Sequence, residues 1–319
     1  MTRRSTKGIY GPPIGKKMVL FVDDLNMPRK EKYGAQPPVE LLRQCIDNGG
    51  WFDHKEKHKP FKQIVEYMFI GGCQPPGQGR QEITPRMSGH LSMISFTSLD
   101  NEQMVRIFQS ILNWFFHTRS FNDEIKKLTV KIVNGTLETY KSVINDFKPT
   151  PVKSHYTFNL RDFARVIHGV CLVEKEKVNS PESIIKLWVH EVWRVYNDRL
   201  NDEEDRRTLL VNIKKITQKC FGISFDNLLL HLDKDGDNKI ETIVEMRGLI
   251  FSDIMYPGSE PKRYYEEITD YTKLQEAVEE QLEEYNIIEE KPMPIVLFNF
   301  AIEHLLIISR ILKQPGGNG

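Results

Sequence analysis

A continuous apolar run that ends in two aspartates constrains the fold of this chain most. The segment KMVLFVDD (17–24) shows no alternation of polar and apolar residues, which is typical of a strand buried in a parallel sheet. Helical spacing follows in PPVELLRQCIDNGGWF (37–52), and QIVEYMFIGG (63–72) and HLSMISFTSL (90–99) predict two further strands. Because parallel sheets bind ligands at the carboxyl ends of their strands, the two acids mark a candidate site.

After residue 99 the pattern becomes helical. The segment 99–117 opens with an aspartate cap. The segment 180–220 opens with Ser180 as a cap and is expected to break near Asn201-Asp202 into two helices. Further helices are predicted over 122–146, 159–173, 266–287 and 294–313. Three tryptophans on these helices are expected to pack in the core: Trp114, Trp188 and Trp193. The predicted fold class is therefore α/β plus α.

Composition argues against several classes of protein. Lys+Arg and Asp+Glu number 44 each, so no bulk charge attracts nucleic acid. The four cysteines form no C-x-x-C pair and are expected to be reduced thiols. No apolar run approaches the roughly 20 residues that a membrane span needs, and the N-terminus lacks the apolar core of a signal peptide. We expect a cytosolic protein that binds neither nucleic acid nor membrane.

The glycine–lysine stretch GPPIGKK (11–17) imitates a phosphate-binding loop but breaks its rules. A P-loop reads G-x-x-x-x-G-K-[ST] and opens a helix. Here only three residues separate Gly11 from Gly15, Lys17 stands where a hydroxyl should, and a predicted strand follows. Two prolines also remove backbone N–H donors. The sequence predicts a turn.

The segment MVLFVDDLNMP is a stronger candidate. Apolar residues followed by an acidic pair form the Walker B arrangement, in which Asp23 holds Mg²⁺ directly or through water and Asp24 polarises the attacking water. The alternative is a strand that ends in ordinary polar loop residues. After the next strand, Gln74 is a candidate for contact with a γ-phosphate or its water, and Arg86 for a trans-acting arginine. The alternatives there are a solvated loop and a surface arginine.

The segment DKDGDNKIETIV (233–244) imitates a calcium loop. Asp233, Asp235 and Asp237 occupy its first, third and fifth positions. The bidentate glutamate of the twelfth position is replaced by Val244, and the glycine of the sixth by Asn238. We expect no calcium site and interpret the segment as an Asp/Asn-rich turn.

The order of these segments resembles the third AAA+ module of an axonemal dynein heavy chain. The resemblance rests on GKKMVLFVDDLNMPRKEKYGAQPPVELLRQCIDNGGWFD, FIGGCQPPGQGRQEITPR, YTFNLRDFARVIHGV and LWVHEVWRVYNDRLNDEEDR, of which VDDLNMP…YGAQPPVELLRQ is highly specific. The tail LFNFAIEHLLIISRILKQPGGNG resembles the entry to the fourth module. Essentially the whole chain is covered.

The resemblance implies a role for each candidate residue. Asp23 and Asp24 are the Walker B pair, with Asp24 where many AAA+ proteins carry glutamate. Gln74 takes the sensor I position, where asparagine is more usual, and Arg161 in NLRD takes sensor II on a lid helix. The place of the arginine finger holds a glycine before His90, which leaves Arg86 as a neighbouring substitute.

The resemblance also implies a domain plan and a setting. Residues 1–98 correspond to the C-terminal part of an AAA+ large subdomain, 99–220 to its helical lid, and 221–319 to a linker and helices that lead into the next module. The implied cofactors are ATP or ADP and Mg²⁺. The implied partners are neighbouring AAA+ modules, microtubules, and dynein intermediate and light chains, in the cytoplasm, cytoskeleton and ciliary axoneme.

A dynein of this kind is an ATPase motor that moves along microtubules, and the module passes nucleotide state between its neighbours in the ring. In the family the module's own P-loop precedes the Walker B strand, and we expect it upstream of Met1. The chain alone is therefore expected neither to bind ATP tightly nor to hydrolyse it. Two alternatives remain: a non-catalytic helical interaction module derived from a dynein, and a calcium-responsive regulator built on 233–244.

Overall fold

The computed structural model describes the backbone of residues 2–3 and the residues 8–77, 79–178, 180–233, 236–256 and 263–313. They form two compact units, Met1–Ser98 and Leu99–Gly319. Within the described residues, no helix has both the length and the apolar character needed to cross a bilayer. Cys45, Cys73, Cys171 and Cys220 are free thiols.

The first unit contains two small sheets. The strand that carries the acidic pair, β3 (Met18–Val22), runs parallel to β6 (Tyr67–Gly71), with Val22 opposite Gly71. The other sheet is mixed and has the order β1-β2-β5-β4, with parallel pairing between β2 and β5 only. Its strands are β1 (Thr2–Arg3), β2 (Ile9–Gly11), β4 (Gly50–Phe52) and β5 (Phe61–Ile64).

Helix α1 (Pro37–Asn48) covers one side of the β3–β6 pair. Prolines begin it, and Gly49 ends it with a left-handed φ of 67°, as the Gly-Gly pair in the sequence predicts. A small cluster of buried side chains joins this helix to the strand end and to the short helix α2 (Pro85–Ser88). Its members are Leu25, Val39 and Met87.

The other face of the β3–β6 pair is exposed, so the prediction of a fully buried strand is wrong. Val19, Phe21, Met68 and Ile70 all point to this face and are 53%, 60%, 56% and 42% exposed. The physical reason is that this sheet has two strands, and only one of its faces receives a helix. We call these four residues the open face.

Two other strand predictions also need correction. The segment 63–72 is not one strand, because Glu66 adopts φ 57° and divides it into β5 and β6, which join different sheets. The segment 90–99 forms no strand. Met93, Ile94 and Phe96 are exposed there, and no described strand pairs with their backbone.

The stretch GPPIGKK is a turn between β2 and β3, as predicted. Gly15 adopts φ 82°, and the amide of Lys16 donates to the carbonyl oxygen of Pro13 at 3.0 Å. This places the lysines directly before a strand rather than at the start of a helix.

The second unit is helical, and together with the first it confirms the predicted class α/β plus α. Its long helices are α3 (Asn101–Thr118), α5 (Thr129–Asp146), α6 (Leu160–Val170), α7 (Pro181–Asn197), α8 (Glu203–Phe221), α11 (Tyr271–Ile288) and α12 (Asn299–Lys313). Short elements connect them: α4 (Asp123–Lys127), 3-10 turns at Lys175–Lys177 and Leu230–Leu232, α9 (Phe225–Leu228), α10 (Ile243–Met246), and the strands β7 (Phe251–Ser252) and β8 (Glu266–Glu267).

Local capping fixes several of these helix starts. Asp100 and Gln103 form a capping box at α3, and the hydroxyl of Ser180 accepts from the amide of Ser183 at α7. The predicted helix 122–146 is divided at Leu128 into α4 and α5. The last two helices begin later than predicted, at Tyr271 and Asn299.

Helix α7 lies at the centre of this unit. Trp188 and Trp193 have no exposed surface, as predicted, and Trp188 donates to the hydroxyl of Thr136 at 2.9 Å. The expectation for Trp114 is wrong, because it is 68% exposed on the outer face of α3. The buried core continues beyond α8 to Phe251 and Tyr265, so the chain after α8 packs against the same helices.

Candidate functional site

The acidic pair lies in a tight turn directly after β3. Asp24 adopts φ 50°, a left-handed conformation that aspartate tolerates better than most residues. Its amide donates to Oδ1 of Asp23 at 3.0 Å, and its carbonyl oxygen accepts from the amide of Met27 at 2.9 Å. Asp23 is exposed and Asp24 half-buried. The turn therefore presents both carboxylates at the strand end.

The end of β6 lies directly beside these acids. The amide of Gly72 donates to the carbonyl oxygen of Val22, and its own carbonyl oxygen accepts from Leu25, both at 2.8 Å. A Cβ atom at Gly72 would lie 3.1 Å from Oδ1 of Asp23. A glycine here leaves room for the carboxylate against the neighbouring strand.

The loop after β6 carries Gln74, and a buried asparagine ties it to the acidic turn. Nδ2 of Asn26 donates to the carbonyl oxygens of Gln74 at 2.7 Å and Gln81 at 2.8 Å. Gln74 itself is exposed. The sequence interpretation assigned no role to Asn26, although it stands in DDLNMP two residues after the acids.

A second residue that the sequence interpretation missed is Arg80. It lies in a narrow hairpin in which the backbones of Gly77 and Arg80 bridge each other. Its Nε lies 3.4 Å from Oδ1 of Asp24, and only a fifth of its side chain is exposed. The second acid is therefore paired with a cation from the loop that carries Gln74.

Arg86 lies elsewhere in this unit, on α2. Its side chain is 69% exposed, and its Nη2 lies 3.7 Å from Oε2 of Glu40 on α1. A single long ion pair at this exposure holds a guanidinium weakly. Its role as a trans-acting arginine stays a prediction.

An open groove runs from the acidic turn to the start of α1. It is lined by the two acids, by Met27 and Pro28 of the turn, and by the side chains Pro38, Val39 and Leu42. Apolar walls beside a small number of polar groups are typical of small-molecule sites.

Family models and known proteins match this chain. Residues 1–99 match the family model described as a P-loop containing dynein motor region, and residues 132–232 match the model of the AAA+ lid domain. The chain is 46% identical to mouse dynein axonemal heavy chain 12 over 98% of its length, and 45% identical to human dynein axonemal heavy chain 3 over 99%. It is 38% identical to human dynein axonemal heavy chain 1 over 98%.

The chain belongs to the axonemal dynein heavy chain family. It spans 10%, 8% and 7% of the length of these three relatives. The matched motor region of this dynein segment contains Asp23, Asp24, Gln74 and Arg80. The matched lid contains Arg161.

Arg161 lies in the second unit of the dynein segment, in the first turn of α6. Its amide donates to Oδ1 of the cap residue Asn159 at 2.9 Å, and its side chain is exposed. Its neighbour Asp162 is 2% exposed and accepts from Nη1 of Arg199 at 2.9 Å. The capping motif thus anchors the helix start from which Arg161 projects.

The described part of the calcium-like segment forms a hydrogen-bonded turn. Asp233 accepts from the amides of Gly236 and Asn238, and Asp237 accepts from that of Lys239, each at 2.8 Å. Asp235 lies outside the described residues. These carboxylates serve as local turn acceptors, which is the ordinary role of aspartate in such sequences.

Proposed function

We propose that this segment supplies the Walker B acids, the sensor loop and the lid of one ATP site in the motor ring of an axonemal dynein. The observation that carries the proposal is the hydrogen-bonded junction between the turn of Asp23 and Asp24 and the loop of Gln74 and Arg80, at the ends of two adjacent parallel strands. Sites in such sheets lie at this end of the strands.

The acidic pair suits Mg²⁺. This ion prefers oxygen ligands and is usually held by one or two carboxylates together with substrate phosphates and water. Asp23, the more exposed acid, would hold it, and Mg²⁺ bound there would neutralise charge on the transferring phosphoryl group. Asp24 orients the attacking water and accepts its proton, and Gln74 contacts the γ-phosphate or that water.

Asp24 is paired with Arg80 in this structure, so its carboxylate must leave or share that partner to act on water. The distance of 3.4 Å and the partial exposure indicate a weak pair that is easily exchanged. Arg161 of the lid helix is proposed to act as sensor II. Through these groups the module reports its nucleotide state to neighbouring modules, and so influences microtubule binding.

The test is mutation in the motor domain of the longer heavy chain that contains these residues. Asp23→Asn, Asp24→Asn and Gln74→Ala are expected to change ATP turnover or nucleotide-dependent release from microtubules by on the order of tenfold or more. Glu82→Gln, which changes an exposed acid of the same unit, should have no effect. If all three variants behave like Glu82→Gln, the alternative of a non-catalytic interaction module is favoured.

The 319 residues contain no G-x-x-x-x-G-K-[ST] sequence. Since that loop supplies most contacts to phosphate, we propose that the chain by itself binds ATP weakly and does not turn it over. A titration with dye-labelled ATP should show no Mg²⁺-dependent binding at micromolar concentration. Tight binding would contradict this part of the proposal.

A further inference from the structure

We propose that Asn26 is a positioning residue that holds the loop of Gln74 and Arg80 in register with the acidic pair. The proposal rests on the function proposed above for that pair. Asn26 is 2% exposed and lies between the two chain segments, 48 and 55 residues away in sequence from the carbonyl groups that it contacts.

Three hydrogen bonds cross this junction through one residue. Nδ2 of Asn26 uses both of its hydrogens, one for the carbonyl oxygen of Gln74 and one for that of Gln81. The backbone carbonyl oxygen of Asn26 accepts from the amide of Gln81 at 2.9 Å. The loop is thereby fixed at two points, one on each side of the hairpin that carries Arg80.

The turn on the other side of the junction is itself well held. Leu25 is 3% exposed and donates to the carbonyl oxygen of Gly72, and Met27 donates to that of Asp24. Asn26 thus connects a fixed acidic turn to a loop that contains a Pro-Pro pair and several glycines. Without this connection, the described residues of the loop keep few backbone hydrogen bonds to the strand ends.

The chemistry of the junction specifies asparagine. The carbonyl oxygens of Gln74 and Gln81 need two donors close to each other, and the side-chain NH₂ group of asparagine supplies both. Aspartate of the same shape offers no donor, serine offers one, and alanine none. Because the bonds reach main-chain atoms of Gln74 and Gln81, Asn26 sets where the Gln74 side chain starts and where Arg80 meets Asp24.

Gln36 provides a matched control in the same unit. It is also 2% exposed, and its Nε2 donates to a backbone carbonyl oxygen, that of Pro28, at 2.8 Å. Its loss removes a buried amide of the same kind without touching the loop after β6.

The first test is amide hydrogen exchange of the 319-residue chain. Asn26→Ala is expected to speed exchange over 72–81 while exchange in α1 stays unchanged, and Gln36→Ala should instead affect 28–36. Asn26→Ser, which keeps one donor, should give an intermediate rate, and it replaces Asn26→Ala if that variant does not fold. Unchanged exchange over 72–81 in either variant would overturn the proposal.

The second test separates positioning from simple stability. In the longer heavy chain, Asn26→Ala is expected to lower kcat on the order of 10–100-fold with a small change in KM. Combined with Gln74→Ala, the loss in kcat should be smaller than the product of the two single losses, because Asn26 acts in part through Gln74. Multiplied losses would contradict this. If Asp24→Asn and Gln74→Ala leave turnover unchanged, the proposed function fails, and the exchange experiment alone decides whether Asn26 holds the loop.

Discussion

Arg310, in the last helix, is ion-paired with Glu191, a carboxylate without exposed surface in α7. The hydroxyl of Tyr265 donates to Oε1 of the same carboxylate at 2.8 Å, and Nδ1 of His190 lies 3.2 Å from it. This cluster binds α12 to the centre of the helical unit. Glu191 falls within the matched lid region, residues 132–232, so the cluster joins α12 to a lid helix.

The first prediction concerns the pH dependence of this cluster. Burial alone would raise the pKa of Glu191, but Arg310 and His190 outweigh it and lower the pKa from 4.5 to about 2. A lowered pKa gives stability that is present above 4.5 and is lost as the pH falls towards 2. We expect roughly 3 kcal/mol of the free energy of unfolding to disappear over this range, measured by urea titration at several pH values.

The same titration in variants identifies the source of that loss. Glu191→Gln combined with Arg310→Met should flatten the fall below pH 4.5, because the buried carboxylate that titrates there and its cation are both gone. The buried His190, whose pKa is lowered by burial, keeps its own contribution to the pH dependence. Glu203→Gln removes an exposed carboxylate, 3.7 Å from Arg207, and should leave the slope as it is. An equally steep fall in the double variant would show that other acids cause it.

A glycine beside this carboxylate provides the second prediction. A Cβ atom at Gly169 would lie 1.8 Å from Oε2 of Glu191, whose position is fixed by its partners. Gly169→Ala should therefore lower the free energy of unfolding by about 3 kcal/mol or more. Gly222→Ala is the control, because its Cβ meets open space and only its φ of 76° costs energy, about 1–2 kcal/mol. A smaller loss for Gly169→Ala than for Gly222→Ala would contradict the structure.

Local signals allowed most of the helical unit to be predicted from sequence. Asp100 and Ser180 predict the starts of their helices, because a cap side chain bonds to an amide only three residues further along the chain. Gly49 likewise ends α1 through its own φ. The prediction of a strand over 90–99 was wrong because a strand depends on a distant partner: it exists only if another chain segment pairs with it. Apolar residues alone do not specify that partner.

In the candidate site, too, residues within a local pattern could be proposed from the sequence, and residues with distant contacts could not. Asp23 and Asp24 could be proposed from the sequence because an apolar strand ending in acids is a pattern within one segment. Asn26 and Arg80 were missed because their contacts lie 48 to 56 residues away. In the helical unit, the ion pair of Glu191 could not be predicted either, since its cation is 119 residues further along the chain. Patterns in a single sequence do not show which residues so far apart in the chain come into contact.

The third prediction compares two arginines that contact one buried acid. Arg199 donates from Nη1 to Asp162 at 2.9 Å and from Nη2 to the carbonyl oxygens of His155 and Thr157 at 2.9 and 3.1 Å. Arg199→Lys cannot keep this fork geometry and should cost about 1–3 kcal/mol of unfolding free energy. Arg165→Lys should cost much less, because Arg165 is 58% exposed and contacts Asp162 once, at 3.3 Å. Equal losses in urea unfolding would show that the carbonyl contacts contribute nothing.

The last prediction concerns the open face of the β3–β6 sheet. Phe21 and Ile70 lie opposite each other there and are 60% and 42% exposed, so the chain offers water a contiguous apolar surface. We expect concentration-dependent self-association of the 319-residue chain, measured by sedimentation velocity, and a clear reduction in Phe21→Thr/Ile70→Thr. Threonine keeps a high strand propensity while adding a hydroxyl, so the strands themselves should persist.

Ile14 provides the control for this surface. It is 90% exposed in the turn before β3 and is not part of the open face, so Ile14→Thr should leave self-association unchanged. If Ile14→Thr reduces association as much as the double variant does, total exposed apolar area rather than the open face drives it. If neither variant reduces self-association, the open face does not mediate it, and its four side chains are ordinary exposed apolar residues.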